Sequence, residues 1–75
     1  MVVGLKIKQL REESGVFQKE LASELGVSES FISTVESGKK LLKREHLKTI
    51  SKMFSYPLPE LEALWLFDKI QKLME

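Results

Sequence analysis

The sequence predicts an all-α fold of five helices within a single domain, residues 1–75. Apolar residues recur at spacings of three and four, as in Val3, Ile7 and Leu10 or Leu47, Ile50 and Phe54, and nowhere do they alternate with the period of a strand. Gly and Pro fall only at the boundaries of these periodic runs. The most informative boundary is Gly26-Val27-Ser28, where two short runs meet across a tight turn.

Taken in order, Val3, Ile7 and Leu10 define a first helix of roughly 4–13, closed by Ser14-Gly15, after which Val16 turns inward. A second helix, roughly 18–25, stops at Gly26, because a residue at positive φ costs least as Gly. Ser28 is placed to cap a third helix, roughly 29–37, by accepting from first-turn amides, and Gly38 ends it. Leu47, Ile50 and Phe54, with Met53 beside them, give a fourth helix of roughly 44–54, broken by Ser55-Tyr56-Pro57. Pro59 suits the first turn of a fifth helix, roughly 59–73.

The second and third helices belong together. Leu21, Val27 and Val35, joined by Ala22, Leu25 and Ile32, can wedge the pair at a fixed angle, with Phe31 at the edge. At about 3.6 residues per turn, Glu29, Ser30, Ser33, Thr34 and Ser37 take the outward directions of the third helix. Such a short, polar face fits a DNA major groove: hydroxyls can bond base edges, a Thr methyl can meet thymine, and a Glu can accept from the cytosine amino group. The plainer reading of the same face is the solvated side of an amphipathic helix.

Net charge is only +1, yet Lys39, Lys40, Lys43, Arg44 and Lys48 cluster after the third helix while Glu60, Glu62 and Asp68 lie in the C-terminal part. A local basic patch can bind phosphates despite near-neutrality; the plainer and lesser alternative is a solvated Lys-rich loop. With no Cys there is neither a disulfide framework nor a thiolate metal site. The one His, His46, has no Cys or carboxylate constellation beside it, and Glu12-Glu13 and Glu60/Glu62 read as solvated faces rather than acid–base pairs. These features argue against an enzyme, a cofactor, a bound metal or a small-molecule ligand. No run suits a signal peptide or a membrane span, so a cytoplasmic setting away from membranes is expected.

The spacing of Leu10-Arg11, Gly15, Gln18, Leu21-Ala22, Leu25-Gly26-Val27-Ser28, Ile32 and Glu36-Ser37-Gly38-Lys39 resembles the helix-turn-helix of the lambda-repressor-like family, also called the xenobiotic-response-element type. The likeness runs from Gly4 to about Leu61 and implies a five-helix DNA-binding domain with its helix-turn-helix at helices two and three. By that resemblance Glu29, Ser30 and Thr34 read bases, and Ser33 shares their outward face. Gln18 contacts a phosphate and buttresses the third helix; Ser28, Ser37 and Lys39 hold phosphates, and Arg44 a flanking phosphate or the minor groove. Lys40 and Lys43 extend the phosphate-binding set. Arg11 and Glu36 match a family ion pair, expected on the scale of exposed pairs to be worth under roughly 1 kcal/mol. Departures from the pattern are also legible. Phe17 replaces a capping Ser or Thr, at a cost of about 1 kcal/mol, and is expected to pack on Leu21 or to meet a backbone or partner. Leu42-Lys43 replaces a Pro-Ser start to helix four, leaving Leu41-Leu42 an unusually apolar loop. No Arg or Lys stands on the reading helix, so shape, deformability and the loop lysines should matter more than guanine contacts.

Beyond Leu61, Leu64 and Trp65 can cap the core, but Leu66, Phe67, Ile70, Leu73 and Met74 exceed what one small domain covers. Segment 61–75 is therefore expected to dimerise the chain and set two reading helices roughly 34 Å apart on duplex DNA, unless it folds back over Leu41, Leu42 and Tyr56. The expected function is a homodimeric, sequence-specific transcriptional regulator on a palindromic operator, similar to small repressors and above all to restriction-modification controllers. Two alternatives stand beside it. One is a protein-interaction module using Phe31, Leu41, Leu42 and the last helix. The other is the DNA-targeting domain of a longer protein, such as a modification enzyme.

Overall fold

Helix α1 (Val2–Glu13) buries Val3, Ile7 and Leu10 along one side, as their spacing requires. It begins two residues before the expected start, for a reason that local sequence does not reveal. Met1 supplies no cap; the Asp68 carboxylate, from the far end of the chain, accepts from the Val2 N–H at 2.9 Å and the Val3 N–H at 2.8 Å. A negative charge on two free first-turn amides is what a helix N-terminus favours, and Asp68 is only 2% exposed. The computed structural model describes all of residues 1–75.

Helices α2 (Gln18–Leu25) and α3 (Glu29–Glu36) meet at Gly26, whose φ of 69° is the left-handed value expected there. The Val27 N–H donates to the Ala22 carbonyl and the Gly26 N–H to that of Ser23, closing α2 in a Schellman turn. Ser28 then starts α3 as expected, its Oγ accepting from the Phe31 N–H at 3.0 Å. Leu21, Ala22, Ile32 and Val35 are buried between the helices, with Leu25 and Val27 half-buried against them. Phe17 departs from expectation. It makes no side-chain cap, as foreseen, but at 72% exposed it does not pack on Leu21 either. Its N–H donates to Glu20 Oε1 at 3.1 Å, the one half of a capping box that a Phe permits.

Helix α4 (His46–Phe54) starts later than the expected residue 44. No side chain caps it, and Lys43 and Arg44 form a tighter turn in which their carbonyls accept from the N–H groups of His46 and Leu47. Helix α5 (Leu58–Met74) carries Pro59 in its first turn and lays Leu61 in the core. The core draws on all five helices and on Leu42, which explains the apolar loop: Leu42 is buried in the core, and its carbonyl accepts from Trp65 of α5.

The backbones of α1 and α3 come close together at Gly4. A Cβ built on Gly4 would lie 2.0 Å from the Val35 carbonyl oxygen, which is backbone and cannot step aside. Helix propensity alone would favour Ala at Gly4 by about 1 kcal/mol, but overpacking forces the helices apart and outweighs it. Gly4→Ala is expected to destabilise the fold by about 2 kcal/mol or more in urea unfolding; equal or higher stability would show that α1 does not sit on α3 as described. Asp68→Ala, which strips the cap from α1, should cost about 1–2 kcal/mol in the same measurement.

Candidate nucleic-acid interface

The inner side of α3 ends in a carboxylate, and that carboxylate organises the site. Glu36 Oε2 accepts from Arg11 Nε at 2.8 Å, and Oε1 accepts from Arg11 Nη2 at 3.0 Å and from Gln18 Nε2 at 3.0 Å. Arg11 Nη1 also donates to the Val16 carbonyl at 2.9 Å. Thus α1, α2, α3 and the α1–α2 turn converge on one fork-to-fork ion pair. The expected pair is present, but its expected scale is corrected. The two side chains are 11% and 3% exposed, so this is a buried pair rather than a surface one. The hydrogen bond to Glu36 raises the Arg11 pKa against the opposing effect of burial. A raised arginine value contributes stability that is complete below the unfolded pKa and fades only as pH climbs through the folded one. That contribution is therefore flat across the neutral range.

With Ile32, Val35 and Glu36 turned inward, Glu29, Ser30 and Ser33 lie exposed on the opposite side, and Thr34 is half-buried beside them. The Thr34 hydroxyl donates to the Ser30 carbonyl at 2.9 Å, leaving its methyl and oxygen lone pairs for a ligand. Ser37 Oγ donates likewise to the Thr34 carbonyl at 3.0 Å. The Ser28 hydroxyl, having accepted from Phe31, keeps its proton to give. Gln18 buttresses α3 through Glu36, as the resemblance implied, and shares a shallow concavity with Arg11, Phe17, Lys19, Glu20 and Glu29 at the open end of the α2–α3 pair.

Lys39, Lys40 and Lys43 are exposed along the loop that leaves α3. Lys40 Nζ lies 5.8 Å from the centre of the Phe31 ring. Arg44 is more constrained than its sequence context suggested: Nη2 donates to Glu62 Oε2 at 3.3 Å, and its guanidinium stands 6.0 Å from the Trp65 ring centre. The outer face of α5 does not fold back over the loop. Leu66, Phe67, Ile70, Leu73 and Met74 remain between 49% and 77% exposed, and Phe67 shares a groove with Met1 and Val2 of α1.

Two residues that matter here were not singled out from sequence. Asp68 stands on the inward stripe Leu61-Leu64-Trp65-Asp68, where an acid among apolar neighbours was the available signal. Trp65 was read only as a core cap; its indole N–H donates to the Leu42 carbonyl at 2.8 Å, a contact that spacing cannot show.

A buried arginine fork holding a two-helix unit, with the second helix offering a short polar face beside a basic loop, defines a helix-turn-helix domain. A helix-turn-helix family model matches residues 7–61, and the chain belongs to that family. Among curated proteins, the HTH-type transcriptional activator BcrR of Enterococcus faecalis is 46% identical over 56 residues, covering 75% of this chain and 28% of that protein. The chain therefore spans little more than a quarter of that relative's length. No solved structure matches significantly. Family membership makes this a DNA-binding domain of the kind found in transcription regulators, not an enzyme. No helix is long and apolar enough to cross a membrane.

Removing one partner of a buried pair leaves the other charge uncompensated, whereas replacing both with apolar groups need not. Arg11→Ala should thus lose about 3 kcal/mol of unfolding free energy, while the double change Arg11→Met with Glu36→Leu should recover most of it. Equal losses for the single and double variants would contradict the buried node.

Proposed function

We propose that the chain is a sequence-specific transcriptional regulator that lays α3 in the major groove of duplex DNA and acts as a homodimer on a palindromic operator. The observation that carries this reading is the division of α3: Ile32, Val35 and Glu36 are held inside, while Glu29, Ser30 and Ser33 are open beside the loop lysines. Glu29, Ser30, Ser33 and Thr34 read bases. Gln18, Ser28, Ser37, Lys39, Lys40, Lys43 and Arg44 contact the phosphates. The reading also places the protein in the cytoplasm, with its DNA.

Dimerisation is proposed through Leu66, Phe67, Ile70, Leu73 and Met74, whose exposure in the single chain favours a covered face. A twofold pairing there would give two reading helices for two half-sites. The fifth helix supports a role like that of restriction-modification controllers. Of the two directions of control, activation has a named relative behind it, and repression has only the family resemblance.

One alternative gains from an observation: the chain matches only part of a much longer relative, so the same domain could serve as the DNA-targeting piece of a larger protein. The interaction-module reading loses ground, because Leu42 is buried and Leu41 and Phe31 are half-buried against the core.

Duplex binding should saturate, with log affinity falling linearly in log salt. Ser30→Ala and Thr34→Ala should relax base preference, whereas Lys39→Ala should weaken all duplexes alike and lower the salt slope by about 1. Identical behaviour of the two groups would overturn the assignment of roles. For the dimer, sedimentation at tens of micromolar should give twice the chain mass, and Phe67→Asp should return it to that of one chain; a wild-type monomer under those conditions would refute the pairing.

A further inference from the structure

The basic loop between α3 and α4 has little to hold it. Lys39 N–H closes the end of α3 on the Thr34 carbonyl, and the carbonyls of Lys43 and Arg44 open the turn into α4. Between them, residues 40–42 make no backbone-to-backbone hydrogen bond. Yet Lys39, Lys40, Lys43 and Arg44 are all carried by this stretch or its margins. Side chains with this much rotamer freedom select phosphates well only if their backbone is fixed beforehand.

The fixture comes from α5. Trp65 Nε1 donates to the Leu42 carbonyl at 2.8 Å, at the last residue of the unsupported stretch, and Leu42 is itself only 2% exposed. The same indole lies 6.0 Å from the Arg44 guanidinium, which Glu62, one turn earlier on α5, also holds. Two adjacent turns of one helix thus fix both the backbone and the arginine of the loop. Trp65 and Glu62 both lie beyond residue 61, where the family match stops.

We infer that Trp65 is a positioning residue for DNA backbone contact: through the Leu42 carbonyl it presets the loop that carries the phosphate-binding lysines. This rests on the DNA-binding reading and adds a division of labour to it. Sequence selectivity belongs to α3 and is independent of Trp65; the number of phosphates engaged depends on it. The arrangement also ties the loop to the helix whose outer face is exposed, since Leu66 and Phe67 follow Trp65 directly.

The test uses the full chain and a duplex selected by the wild-type protein from a randomised pool. Trp65→Phe keeps an aromatic ring and removes the donor. A second variant guards against a packing defect: benzothienylalanine at position 65, introduced by chemical synthesis, keeps the bicyclic shape without the N–H. Both are checked for cooperative thermal unfolding. The expected result is a three- to tenfold loss of affinity, a salt slope shallower by about one to two per chain, and an unchanged ratio of affinities for selected and scrambled duplexes. A merely structural role would lower that ratio together with affinity, and this outcome overturns the proposal. So does wild-type affinity and slope in the folded benzothienylalanine variant. If the wild-type chain selects no duplex from the pool, the DNA-binding reading itself falls; if it does and the variants match it, only the role of Trp65 falls.

Discussion

The rest of the molecule depends on the Glu36 carboxylate. It accepts three hydrogen bonds from two other helices, two from Arg11 and one from Gln18, at 2.8–3.0 Å. A buried charge has to be matched closely or it destabilises the fold, so the three helices can approach only in an arrangement that satisfies it. That arrangement sets the rotation of α3 about its own axis. With Glu36 committed inward, together with Ile32 and Val35, the polar residues left over face solvent. The proposed reading face is thus a consequence of the node rather than a separate feature. The Gly4–Val35 contact adds to this: α1 rests directly on the α3 backbone, so α3 cannot tilt without moving α1.

Helix α5 acts as a second fixture at the opposite margin. Asp68 caps α1, and Trp65 holds the loop after α3, so one helix restrains both the first element of the fold and the segment that carries Lys39, Lys40, Lys43 and Arg44. Its inner stripe is fully used for this. Its outer stripe is apolar and unused within the chain, an unusual state for a helix of this length. Fold, loop and exposed surface are therefore mechanically continuous, although the family pattern covers only residues 7–61.

Much of this was legible in the sequence because it is local. The Gly26 turn, the Ser28 cap and the inward placement of Ile32 and Val35 follow from backbone conformation and helical spacing, and the structure agrees with each. The Arg11–Glu36 pair was legible as a pairing through resemblance, but not as a buried one: burial depends on how α1 and α3 pack, which spacing does not report. What stayed hidden is non-local. The start of α1 moved because Asp68 reaches it across 66 positions of chain, and the loop residue Leu42 is core, with its carbonyl held by Trp65 from another helix. Phe17 shows the converse. Local reasoning predicted the lost cap correctly, but of the two places it offered the ring, packing on Leu21 is one that the fold does not provide.

The central proposal is that the Glu36 node turns α3 outward as the surface that meets DNA. Amide NMR of the isotope-labelled wild-type chain, titrated with a selected duplex, tests this most directly. The largest shift changes are expected on Gln18, on residues 28–39 and on the loop through Arg44, with the outer positions of α5 little affected. Changes concentrated on Leu66, Phe67, Ile70 and Leu73, with α3 silent, would contradict it.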